Sequence, residues 1–147
     1  RLGFLTGPAP AIKQMLKIHQ YALMCAPTTS QYAAIEALDH CEENIAQMRA
    51  EYNLRRRFVV DAFNRLGLST FEPEGAFYIF PCIKSTGLSS EEFCEKLLYS
   101  QRVAVVPGNA FGDSGEGFVR VSYSYSVNHL TEAVRRFGCF LEELKQS

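Results

Sequence analysis

The chain has 147 residues, is 47% hydrophobic and 21% charged, and carries a formal net charge of −1. This is the balance of a folded globular protein, long enough for one real core or for a modest domain plus segments borrowed from a neighbour. It gives no basic patch for nucleic acid or an acidic membrane surface, and no apolar run approaches the roughly 18 residues of a membrane span. The five cysteines (Cys25, Cys41, Cys82, Cys94, Cys139) are odd in number and lack C-x-x-C spacing. They read as reduced core thiols in a cytoplasmic protein, and the isolated His19, His40 and His129 suggest no metal site.

The chain opens on Arg1 without Met or a signal-like segment, the pattern of a piece of something longer. Arg1 to Thr6 alternates, which predicts a short strand ending at Gly7-Pro8 with Leu2 and Phe4 on one face. Pro8 and Pro10 open a helix whose Ile12, Met15, Leu16, His19 and Leu23 form a stripe expected in the core, His19 being packed rather than a ligand. Pro27 breaks that run. Thr28 and Gln31 have capping-box spacing for a second helix through about Leu38. The longest periodic element runs from Glu42 to Leu66, with Ile45, Met48, Tyr52, Val59, Phe63 and Leu66 in one stripe and Gly67 as its C′ residue. Such a rod is roughly 36 Å long, more than a small domain needs. Its Arg55, Arg56 and Arg57 read as a solvated face.

After Gly67 the pattern becomes α+β. Pro73-Glu74-Gly75 leads into a predicted strand at Phe77 to Pro81, whose aromatics are core by default. Ser89 and Glu92 form a capping box for a helix over Ser90 to Tyr99 with Phe93, Cys94, Leu97 and Leu98 inward. Two further strands are predicted at Val103 to Val106 and Phe118 to Tyr123. Asn128 is the expected N-cap of a last helix over Leu130 to Lys145. In the third strand Phe118, Arg120 and Ser122 share a face. Arg120 is therefore a lone cation inside a strand. Either that face is solvated, or the guanidinium meets an anion, for which a carboxylate is the best geometric match.

The run P-G-N-A-F-G at Pro107 to Gly112, followed by F-V-R-V-S at Phe118 to Ser122, resembles the C-terminal signature of class I/II aminotransferases. These are fold-type I enzymes that use pyridoxal 5′-phosphate, and aspartate and aromatic aminotransferases are examples. R-L-G-F-L-T-G-P at Arg1 to Pro8, T-S-Q-Y-A-A at Thr29 to Ala34 and P-E-G-A-F-Y at Pro73 to Tyr78 match in the same order. The resemblance covers essentially the whole chain but only the C-terminal part of a family member. It implies three regions: residues 1–41 as the end of the large cofactor-binding domain, 42–67 as an interdomain helix, and 68–147 as the small C-terminal domain, an α+β unit with a three-stranded sheet.

What the resemblance implies chemically is a division of labour. Arg120 stands where the family binds the substrate α-carboxylate, and Arg1 where it contacts the cofactor phosphate. The Schiff-base lysine is absent, because Lys13, Lys17, Lys84, Lys96 and Lys145 all lack its context; the chain alone is expected to be inactive. The implied parent is a homodimer that moves an amino group between an amino acid and a 2-oxo acid. Two alternatives remain open on the sequence: a pyridoxal-phosphate-dependent lyase of the same fold, and a non-catalytic α+β module that holds an anionic ligand with Arg120 and the Pro107 to Gly117 loop.

Overall fold

The computed structural model describes residues 2–146. It contains two compact units, Arg1–Met48 and Arg49–Ser147. The first unit carries helix α1 (Ala9–Ala22), helix α2 (Thr28–His40) and the start of helix α3 (Glu42–Arg65). Pro10 stands in the first turn of α1, where its missing N–H costs nothing. The second helix also forms behind Pro27, but three expectations for this region are corrected. Residues 2–6 form no strand. Helix α2 begins behind Pro27 without a side-chain cap; Gln31 donates instead to the Ala26 carbonyl at 2.8 Å. The α1 stripe is not core, since Met15, Leu16 and Leu23 are all more than half exposed, and His19 and Cys25 are exposed as well. Helical periodicity marks a face as apolar without saying what covers it.

In the second unit, α3 turns from exposed to buried along its length. Val59 and Phe63 lie in the core, whereas Leu54 is 66% exposed. Gly67, at φ 82°, ends the helix as read from the sequence. Its N–H donates to Asn64 O and that of Leu68 to Phe63 O, the paired bonds of a Schellman motif. Arg56 departs from the solvated reading. It is half-buried and donates to Asn53 Oδ1, to Glu72 Oε1 at 2.5 Å and to the Pro73 carbonyl at 3.2 Å, so it fixes the segment that leads into the sheet.

The sheet has three short antiparallel strands, β1 (Tyr78–Ile79), β2 (Val106–Pro107) and β3 (Val119–Ser122), in the order β1-β3-β2. Tyr78 pairs with Ser122 and Ile79 with Val121, while Val106 pairs with Arg120 and Pro107 with Val119. Val103 to Val105, expected in the second strand, lie outside it: β-branched residues favour a pleated chain, but only tertiary pairing decides how much of it forms a ladder. Helix α4 (Ser90–Gln101) starts at the predicted Ser89/Glu92 capping box. Phe93 and Leu97 are buried, and Leu98 is 42% exposed. Helix α5 (Val127–Gln146) begins before Asn128. Ser126 serves its N-terminus instead, accepting from His129 N–H and bonded to His129 Nδ1 at 2.7 Å.

Phe137 on α5 ties the core together. It meets Phe63 of α3 edge-on at 4.8 Å and Phe93 of α4 at 6.1 Å, while Phe140 packs edge-on to Phe93 at 5.1 Å. Edge-to-face pairs of this kind add about 0.5–1.5 kcal/mol to the area buried.

The connection from β2 to β3 is fastened to the start of α4. Ser90 is fully buried, its Oγ accepts from Gly117 N–H at 2.9 Å, and its own N–H donates to Glu116 Oε1 at 2.9 Å. A carboxylate at that helix end is also favoured by the helix dipole. Within the loop the backbones of Gly108 and Gly115 are so close that a Cβ on either would collide with the other's carbonyl, and one on Gly108 would also lie 2.7 Å from Phe118 O. Two substitutions test this construction. Gly108→Ala is expected to lower unfolding free energy by about 1–3 kcal/mol through overpacking, and Ser90→Ala by about 1–3 kcal/mol through an unsatisfied buried N–H; denaturant titration measures both.

Candidate active site

Strand β3 is the middle of the sheet, and its alternation decides what reaches the site. Val119 and Val121 are buried, and Arg120 and Ser122 are half-buried on the other face. On that face the Arg120 guanidinium carbon lies 4.5 Å from the centre of the Tyr78 ring and 4.4 Å from that of Phe111. The rings come from the two sides of β3, Tyr78 from β1 and Phe111 from the loop after β2. No acidic side chain among the described residues forms an ion pair with Arg120. Two aromatic faces therefore hold the cation without neutralising it, and its N–H groups stay available to a planar anion.

Beside Arg120 a cleft of about 460 Å³ opens between the Arg102–Val106 stretch, β3 and α5. Arg102 also lines the cleft and is exposed, whereas Glu132 and Arg136 in its wall are paired with each other. Glu132 accepts from Arg135 through both oxygens and from Arg136 Nε, each at 2.8 Å, and Arg136 also donates to the Gln101 carbonyl. Hydrogen bonds from Arg135, then from Arg136, pull the Glu132 carboxyl down to about 2 from its ordinary 4.5. A depressed carboxyl stabilises the fold fully above its unfolded value and loses that contribution as pH falls through the folded one. The Glu132 contribution should thus be present above about 4.5 and disappear towards 2. An NMR titration of its side-chain carbon should place the midpoint near 2, and Glu132→Gln should remove that part of the acid dependence of stability.

The approach to β1 is shaped as tightly. Ala76 has φ 60°, a left-handed conformation costly for a residue with Cβ, and its carbonyl accepts from the buried Tyr123 hydroxyl at 2.9 Å. Burial pushes the Tyr123 phenol above its ordinary range. The segment before β1 is thus tied to β3 by Tyr123 and to α3 by Arg56.

Of the two arginines singled out in the sequence, Arg120 stands in this site and Arg1 lies outside the described residues. Phe111 was visible only as a letter of the P-G-x-x-F-G run, and Tyr78 only as a core aromatic and the last letter of P-E-G-A-F-Y; strand pairing brings Tyr78 to Arg120, and the fold of the loop brings Phe111. The cysteines are unpaired among the described residues. Burial, with Glu91 adding to it, pushes Cys94 up to about 11, which makes it an inert packing thiol. No group of His, Cys, Asp and Glu among the described residues could hold a metal ion, and no described helix is long and apolar enough to cross a membrane.

The site is thus a small sheet whose central strand presents Arg120 between two aromatic rings, without an acidic partner among the described residues. The chain belongs to the aminotransferase class I and II family, whose model matches residues 1–137. It is 47% identical over 147 residues to an aspartate aminotransferase of Pyrococcus abyssi, covering 99% of this chain and 38% of that protein. It is 46% identical over 147 residues to aromatic-amino-acid aminotransferase 2 of Thermococcus litoralis, with the same 99% and 38% coverage. The solved structure of an aromatic aminotransferase from Pyrococcus horikoshii superposes with a TM-score of 0.86 at 45% identity, over 95% of this chain and 38% of that one. The chain thus spans well under half the length of these relatives, and its fold is that of the fold-type I enzymes.

Proposed function

We propose that this chain is the C-terminal part of a pyridoxal-phosphate-dependent aminotransferase, comprising the end of its large domain, the interdomain helix and the small domain, that moves an amino group between an amino acid and a 2-oxo acid, with Arg120 binding the substrate α-carboxylate. The observation that carries the reading is the Arg120 guanidinium, held between Tyr78 and Phe111 with no acidic partner among the described residues. A cation half-withdrawn from water in this way gains most from an anion that arrives with the ligand. The names of the relatives support the reaction class, and they include both aspartate and aromatic substrates. The parent is read as a cytoplasmic homodimer, to which this chain gives the end of the large domain (residues 1–41), the interdomain helix (42–67) and the small domain (68–147), as the motifs imply.

Pyridoxal phosphate, when bound, supplies the electron sink that makes the substrate Cα proton removable. The residues described fit the substrate side of such a site. All five lysines are exposed, and Lys84 lies against Gly117 and over the Phe118 ring. On this reading Arg1 holds the phosphate by charge-assisted hydrogen bonds, Arg120 orients the substrate, and the covalent anchor and proton-transferring lysine belong to a part of the parent other than this chain.

Two measurements test the proposal. In the full-length enzyme, Arg120→Ala should cost about 2–5 kcal/mol of transition-state binding by leaving the substrate anion unpaired, on the order of 10²–10³-fold in kcat/KM. Arg120→Lys should recover part of that, because a point charge cannot make two parallel hydrogen bonds. The preference for amino acids over amines should fall with it, whereas unchanged kinetics in a folded Arg120→Ala enzyme would assign Arg120 to structure. The second measurement uses this chain alone. Treated with pyridoxal phosphate and borohydride, it should take up no stoichiometric label at any single lysine, and quantitative labelling of one lysine would overturn the inactive reading.

A further inference from the structure

We infer that Phe111 is a positioning residue for carboxylate recognition, acting through Arg120, and that the aromatic clamp takes the place of an acidic partner so that the guanidinium keeps both its charge and its donors for the ligand. The inference rests on the reading of Arg120 given above and adds to it the element that orients the arginine.

Phe111 is 52% exposed, so the core does not account for its position. The loop around it does. The Gly108–Gly115 contact and the left-handed Gly112, at φ 123°, fold the chain so that the Phe111 ring faces Arg120 at 4.4 Å. Phe80 then meets Phe111 edge-on at 5.8 Å and 85°. With Tyr78 opposite Ser122 and Ile79 opposite Val121, the same register brings Phe80 opposite Arg120. Phe80 thus backs Phe111, and Phe111 and Tyr78 hold the cation.

An aspartate or glutamate could also fix an arginine, but it would occupy the N–H edge that the substrate carboxylate needs. Rings stacked on a guanidinium contact its faces and leave that edge open. Ordering Arg120 in advance also removes part of the side-chain entropy that ligand binding would otherwise have to overcome. Loss of the ring should therefore weaken ligand binding far more than it changes the rate of the bound complex.

The test is made in the full-length enzyme, beginning with Arg120→Ala. If that variant keeps its kcat/KM and its preference for amino acids over amines, the carboxylate reading itself fails. If it loses them, Phe111→Leu is expected to raise KM, and the calorimetric Kd for a 2-oxo acid, by about 3- to 10-fold, with kcat changed by less than about twofold. Phe111→Tyr should recover most of that loss. Placed on Arg120→Ala, Phe111→Leu should add nothing, since the ring acts through the arginine. Trifluorophenylalanine at position 111 keeps the shape while weakening the ring quadrupole, so it should shift KM and Kd in the same direction even if the leucine variant folds poorly. Unchanged KM and Kd in the fluorinated enzyme, or an equal loss from Phe111→Leu with and without Arg120, would overturn the inference.

Discussion

The strict two-residue alternation of β3 is the constraint on which the second unit depends. Val119 and Val121 are drawn into the core formed with Phe63, Phe93 and Phe137, and the same alternation leaves Arg120 on the opposite face. A slip of one residue would expose both valines and bury a guanidinium with no counterion, at a cost of several kcal/mol. The hydrophobic core thereby fixes the register of a residue that takes no part in it. Packing and site are specified by one choice.

Around that strand the structure relies on hydrogen bonds where it has little apolar area to use. Two-residue strands such as β1 and β2 hold few ladder bonds, and the loop between β2 and β3 has glycine where a core would have side chains. Its position comes from the bonds of its Glu116 and Gly117 to Ser90 at the start of α4, and that of the segment before β1 from Arg56 and Tyr123. Both attachments are partly or wholly buried, where a lost partner is felt in full. The result is a set of aromatic side chains delivered to one face of the sheet from both sides of β3.

The chemistry open to that face follows from what it lacks. Arg135 and Arg136 are paired with Glu132, and Arg55, Arg56 and Arg65 have acidic partners as well. Arg120 is held by π-faces instead. A charge kept in place without being neutralised is a common arrangement for binding, because the favourable ion pair forms only when the ligand arrives.

Much of this was legible in the sequence because the signals were local. The C-terminal strand with Arg120, the Ser89/Glu92 capping box, the Gly67 stop and the long helix each depend on neighbours a few residues away, and the order of the motifs carried the family. What depended on distant partners was not. Arg56 looked solvated because Glu72 and the Pro73 carbonyl are a loop away; the apolar stripe of α1 could not say whether anything in this chain covers it; and Ser126 displaced Asn128 because helix α5 begins a turn before its apolar stripe does. The site divides along the same line. The sequence by itself determined that an arginine would stand alone on a strand face beside a glycine-shaped loop. Only the tertiary structure decided what holds it there, because Tyr78 is brought to Arg120 by pairing with a strand distant in the chain and Phe111 by backbone contacts within its loop, neither of which leaves a periodic trace.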